Sequence, residues 1–171
     1  VLQFNGELYN SEIAQGTSDT QYVANMLRGC RDVVSVLPQL DGEFAYTVTD
    51  LESEQVYFGR DSVGKRSLSY CIDENTHELF VASVTGTTER EYVNCVGGTV
   101  YTYNMVSGTI DDSASLIDLS NWQVSAEEDP EMAQLPNIID SLYTALNTAV
   151  ARRITTIHPK HIENSPIAVL F

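Results

Sequence analysis

The sequence predicts an α+β layered domain, and two patterns carry that prediction. Residues 18–30 repeat apolar side chains at helical spacing. From Asp41-Gly42 onward the chain switches to short aromatic and β-branched runs separated by polar turns. One or two helices followed by a series of strands read as α+β.

The elements follow in order. The apolar run 1–4 reads as a short strand that ends at Asn5-Gly6-Glu7. Ser18 is placed to cap a helix, and Gln21, three residues on, completes a capping box. Val23, Met26, Leu27 and Cys30 then recur at i, i+3, i+4, i+7, which packs Cys30 on the apolar face. Gly29 and the polar residues after Cys30 end that helix. Val33, Val34, Val36 and Leu37 form a second, short helix stopped by Pro38. Residues 44–48 and 56–58 are strands joined by the polar connection 50–54. Residues 68–72 and 79–84 repeat the theme across 73–78. Residues 99–105 add another strand, with Gly97-Gly98 before it and Ser107-Gly108 after. The acidic stretch 123–135 has no apolar period and reads as a linker. A new helix starts near Pro136, with Ile138, Leu142, Ala145, Leu146, Ala149 and Val150 on one face and Arg152 and Arg153 near its end. Residues 158–165 are a loop. The continuous apolar run 166–171 is the pattern of a strand buried on both faces of a parallel sheet.

Composition excludes several function classes. Apolar residues make up 43% of the 171 and charged residues 19%, a globular balance. Twenty-four acids against nine bases give a net charge of −15, which disfavours nucleic-acid backbones and anionic membrane surfaces as partners. No apolar run approaches the ~20 residues of a membrane-spanning helix. Cys30, Cys71 and Cys95 are odd in number and widely spaced, so they read as reduced thiols rather than a disulfide framework. His158 and His161 flank Pro159-Lys160 without nearby carboxylates or thiols, and no metal site is expected there.

The chemistry-bearing residues lie near the start. Asn5-Gly6-Glu7 is followed by Ser18-Asp19-Thr20 at a helix start, then by the segments 40–46 and 58–70 (Phe-Gly-Arg-Asp-Ser-Val-Gly-Lys-Arg-Ser-Leu-Ser-Tyr). Taken singly, Asn-Gly is a common turn dipeptide and Asp19 favours a helix dipole. Taken in this order, the segments resemble the asparagine synthetase family of class II glutamine amidotransferases. Gly59 stands where the family usually has Ala, Ser67 where it has Pro, and Gln21 where it more often has Glu, as in a divergent branch.

The resemblance implies a fold and a chemistry. The fold is an N-terminal-nucleophile hydrolase four-layer αββα sandwich lacking its first strand, followed by the start of an α/β adenylating synthetase domain. On that reading residues 1–122 are the glutaminase domain, 123–135 the linker, and 136–171 the beginning of the synthetase domain, with both domains truncated. Asn5 and Gly6 form the oxyanion hole. Asn5, Gly6, Glu7 and Asp19 bind substrate, Asp19 by pairing with the glutamine α-ammonium. Gly6, lacking a Cβ, allows a ligand close to the backbone. The family's nucleophile is an N-terminal cysteine whose own α-amino group is the base, and Val1 stands first here. No internal cysteine can substitute, so this chain alone is expected to be inactive. Phe171 falls at the edge of the ATP site; ATP and Mg belong to the synthetase domain, and aspartate is the acceptor. The location implied is cytoplasmic. Other readings stay open: an inactive family member kept as a scaffold, a different acceptor, or another class II amidotransferase, such as a phosphoribosylpyrophosphate enzyme.

Overall fold

The computed structural model describes residues 1–14, 16–30, 32–86, 90–115 and 135–157. The chain divides into two compact units, Val1–Ile13 with Thr17–Asp118, and Ala14–Gly16 with Leu119–Phe171.

In the first unit, β1 (Leu2–Leu8) leads to α1 (Asp19–Gly29), α2 (Val33–Val36) and a 3-10 turn at Leu37–Gln39. Strands β2 (Gly42–Asp50), β3 (Gln55–Arg60), β4 (Ser69–Ile72), β5 (Leu79–Ala82), β6 (Val93–Asn94), β7 (Thr99–Asn104) and β8 (Thr109–Ser115) follow. They form a five-stranded sheet, β1-β2-β3-β7-β8, and a three-stranded sheet, β5-β4-β6. All the pairings are antiparallel.

Alternation along β2 sets the layers. Phe44, Tyr46 and Val48 face the helices and pack with Val23, Val33, Leu37 and Leu40. Ala45 faces the other way and joins Phe58, Leu68, Tyr103 and the partly buried Tyr70, Ile72, Leu79 and Val81 between the two sheets. The described part of this unit is therefore three layers, helices on sheet on sheet. The second helical layer of the expected four is not among the described residues of this unit.

Several local expectations are corrected. Asn5-Gly6-Glu7 does not follow the first strand but lies inside β1, where Asn5 opposes Ala45 and Gly6 opposes Phe44. The capping box is half made. Ser18 Oγ accepts the Gln21 N–H at 3.2 Å, while the Gln21 side chain turns forward and donates to Asn25 Oδ1 at 2.9 Å. Cys30 sits at the C-cap and is exposed, because the helix ends before its side chain reaches the sheet. The short helix ends at Val36, ahead of Pro38, and a 3-10 turn at Leu37–Gln39 continues it, with Pro38 at a first-turn position where its missing N–H costs nothing. Strands β6 and β8 were not expected from the sequence.

The one element described in the second unit is α3 (Leu135–Thr155), with Arg152 and Arg153 in its last turn. Ile138, Leu142, Leu146 and Val150, the face read from the sequence, are exposed. Of the expected linker 123–135, Leu135 already belongs to α3, and the rest, like the run 166–171 with Phe171, lies outside the described residues.

Candidate functional site

The backbone phase of β1 decides what it can offer. Val1 and Thr49 exchange both main-chain hydrogen bonds, at 2.5 and 2.7 Å. Beyond the other end of the strand, the Tyr9 N–H donates to Asp41 O at 2.6 Å. Antiparallel partners alternate between bonded and non-bonded pairs, so the odd residues of β1 bond to β2. The N–H and C=O groups of Leu2, Phe4, Gly6 and Leu8 therefore point away from β2. β1 is the edge of its sheet among the described residues, and these groups line that edge.

One of these outward donors is occupied from within the chain. Asp19 Oδ2 accepts the Leu8 N–H at 3.0 Å. Asp19 is the first helical residue of α1, set there by the Ser18 cap, and its carboxylate joins the helix start to the strand edge. Two residues along β1, about 7 Å away at ~3.4 Å per residue, the Gly6 N–H points the same way.

Gly6 is required for a different reason from the expected one. A Cβ there would stand 2.1 Å from Glu43 O and 2.6 Å from Phe44 Cα. The space is filled by β2, not kept clear for a ligand, and the glycine allows the two strands to lie this close.

Asn5 projects to the face opposite Phe4 and is exposed. Glu7 lies on that same face and is exposed, with Tyr9 Oη within 3.5 Å of its carboxylate. Directly across from Glu7 stands Glu43, only 7% exposed. Like charges facing each other across strands repel. Here Lys65 Nζ lies 2.9 Å and Arg66 Nη2 3.3 Å from the Glu43 carboxylate and offset that repulsion. Glu43, Lys65 and Arg66 were not singled out from the sequence. Their signal was available as charges inside the segments 40–46 and 58–70.

Asp61 positions this cluster. It is 1% exposed, and its carboxylate accepts four backbone N–H groups: Phe44 at 3.1 Å, Val63 at 3.2 Å, Lys65 at 3.0 Å and Arg66 at 3.1 Å. Phe44 is the residue opposite Gly6, and Lys65 and Arg66 are the partners of Glu43. Gly64 takes φ +68 within the turn, a left-handed conformation suited to glycine. Arg60 does not pair with Asp61. It donates to the carbonyls of Gly64, Arg66 and Cys95, so the neighbouring charges serve separate structural roles.

The departures from the family pattern have local causes. A Cβ at Gly59 would meet Thr99 O at 2.3 Å and Tyr46 Oη at 2.8 Å, so Tyr46 takes the room that an alanine would need. Burial holds the Tyr46 hydroxyl protonated well above its usual range. Ser67 Oγ donates to Ser83 O at 2.8 Å, a tie that a proline could not make. Cys95 is buried, and burial pushes its thiol up to about 11, so it is protonated at neutral pH. No group of three His, Cys, Asp or Glu side chains among the described residues is placed to hold a metal ion. No described helix is long and apolar enough to cross a membrane.

Residues 1–90 match the glutamine amidotransferase domain family. An asparagine synthetase domain-containing protein of Saccharomyces cerevisiae is 43% identical over 99% of this chain and 32% of its own length. The mouse asparagine synthetase domain-containing protein 1 is 21% identical over 99% of the chain and 29% of its own length. Rat glutamine-hydrolysing asparagine synthetase is 30% identical over 43% of the chain. The chain thus spans about a third or less of the length of these relatives. Among solved structures, the glutamine phosphoribosylpyrophosphate amidotransferase of B. subtilis matches 68% of the chain and 29% of its own with a TM-score of 0.54 at 21% identity, a likeness of fold alone. Family match and near-full-length identity agree, and the chain belongs to the glutamine amidotransferases, among their asparagine synthetase domain-containing members.

Proposed function

We propose that this chain is the glutamine-binding part of a glutamine-hydrolysing amidotransferase. The observation that supports it most is the spacing on the open edge of β1. The Gly6 N–H and the Asp19 carboxylate lie on one edge, about two strand residues apart. In glutamine, four bonds of about 1.5 Å separate the α-nitrogen from the amide carbon. A glutamine laid along the edge brings its amide oxygen to Gly6 while its α-ammonium reaches Asp19. Among the described residues Asp19 is bound through Oδ2 alone, so Oδ1 can accept the ammonium while Oδ2 keeps Leu8.

In this reading a cysteine thiol, supplied from outside these residues, gives its proton to its own α-amino group, and the thiolate attacks the amide carbon. The Gly6 N–H and the Asn5 side-chain amide donate to the oxygen as it becomes an oxyanion. Glu7 reads the substrate beside them. The α-ammonium returns that proton to the amide nitrogen as the intermediate collapses, so ammonia leaves, and water then hydrolyses the thioester to glutamate. The released ammonia serves the amidation of aspartate through its adenylate, which needs ATP and Mg. Phe171, assigned to the ATP site, lies outside the described residues, so no step is derived for that half of the reaction. At Gly59 and Ser67 the family departures have the packing roles described above.

The test is Asp19→Asn in a full-length protein bearing the N-terminal cysteine. Loss of a charge-assisted bond should weaken glutamine binding by roughly 1.5–3 kcal/mol. Synthesis fed by free ammonia should be unchanged. Equal loss with both nitrogen sources would assign Asp19 to structure alone.

A further inference from the structure

The charges beside Glu7 include one cation more than their anchor needs. Gly6-Glu7 and Gly42-Glu43 run antiparallel, so Glu7 and Glu43 stand directly opposite on one face of the sheet. Glu7 is exposed and Glu43 is buried. A buried carboxylate left unpaired is the costlier of the two, so the neighbouring cations go to Glu43. Arg66 Nη2 lies 3.3 Å from its Oε1, and Lys65 Nζ lies 2.9 Å from its Oε2.

An arginine can hold both oxygens of a carboxylate at once, through its planar fork. Here it holds one. The Arg66 Nε–H is buried and has no hydrogen-bond partner among the described residues. Lys65 occupies the oxygen that would complete the fork. Glu43 can therefore release Lys65 and stay paired, with Arg66 closing on both oxygens. Asp61 pins the Lys65 backbone, whereas the Lys65 side chain is 59% exposed on a flexible four-carbon stem. Residues paired across strands have Cβ atoms about 4.5–5.5 Å apart, so a cation leaving Glu43 meets Glu7 next. A carboxylate only accepts hydrogen bonds, so Glu7 reads a donor of the substrate, and a lysine ammonium is a rival donor.

We propose, on the reading that Glu7 touches the substrate, that Glu43 is a positioning residue for glutamine binding. Glu43 holds the Lys65 charge off Glu7. Lys65 is a stand-in cation beside the site, and it competes with the substrate whenever Glu43 lets it go.

The test measures glutamine hydrolysis by a full-length protein bearing the N-terminal cysteine. Glu43→Gln should raise KM for glutamine roughly fivefold, the scale of one cross-strand charge pair, and leave kcat unchanged. Adding Lys65→Met should restore KM, because the rival cation is gone. A purely structural Glu43 would not be rescued by removing a second charge. Lys65→Met alone, at an exposed side chain, should leave KM equal or lower. In a Glu7→Gln background, Glu43→Gln should add nothing. An unchanged KM in Glu43→Gln would overturn the proposal. So would a double variant no better than Glu43→Gln, or a higher KM in Lys65→Met. If Asp19→Asn weakens glutamine binding and Glu7→Gln does not, the glutamine site stands and the role of Glu43 falls. If neither weakens it, the proposed function falls as well.

Discussion

The two ends of the five-stranded sheet are built differently. β8 is polar, with Asp111 and Asp112 mid-strand, and its pairing to β7 shifts between Thr102 and Tyr103, leaving Asp111 as an extra residue. Asn104 Nδ2 and Thr109 Oγ1 hold the Asp111 carboxylate at 2.8 and 3.1 Å. A bulge and charges are the usual means of closing an edge to other strands. β1 has neither a bulge nor a mid-strand charge. It pairs with β2 without a break from Leu2 to Leu8, and its only acid is Glu7. One edge is protected, while the other keeps its main-chain donors in line. A strand can present an ordered row of donors only if its pairing is unbroken.

The largest expected effect comes from breaking the β1–β2 pairing. Gly6→Ala drives a Cβ into the β2 backbone and should cost at least about 3 kcal/mol, read as a lower urea midpoint. A loss under 1 kcal/mol would mean that β1 and β2 separate easily. Next comes Asp61→Asn. Its amide NH₂ would face backbone donors in place of a carboxylate oxygen, at a cost of about 2–3 kcal/mol. The sharper readout is local. Hydrogen exchange should rise at Phe44 and at the Leu8 N–H before it rises along β8, and uniform acceleration would show that Asp61 supports the domain generally. The smallest effect is expected at the protected edge. Asp111→Ala should change stability by no more than about 0.5–1 kcal/mol. If β8 guards against association through that carboxylate, the variant should self-associate more strongly than the parent by light scattering; unchanged scattering would assign the protection to the bulge.

How much of this was legible depended on how local its cause was. The Ser18 cap, the apolar face of α1 and the hairpins around 51–54 and 73–78 depend on neighbouring residues, and the sequence showed them. β6 is two residues long and exists only because β4 offers a partner. β8 lacks the apolar alternation that marks a half-buried strand, since an edge strand with acids at its centre has little to bury. The order of Asn5, Gly6, Glu7 and Asp19 along the chain was readable. That Gly6 turns its N–H outward, and that Asp19 fixes the Leu8 donor beside it, follows from strand phase across a 48-residue separation, between Val1 and Thr49. Propensity does not encode that. Cys30 was misplaced because helical periodicity says which face a residue occupies but not how far the opposing sheet extends.

Asp61 also bears on how the domain folds. Its carboxylate bonds to Phe44, seventeen residues back, and to three donors within the next five residues. Its own carbonyl accepts from Gly98, thirty-seven residues ahead. A buried charge is costly until its donors arrive, so Asp61 disfavours any compact intermediate in which β2, the 62–66 turn and the segment before β7 have not yet met. Non-local closure of this kind slows the search. It also makes these segments assemble together, so that the open edge of β1 is formed only on a sheet already locked behind it.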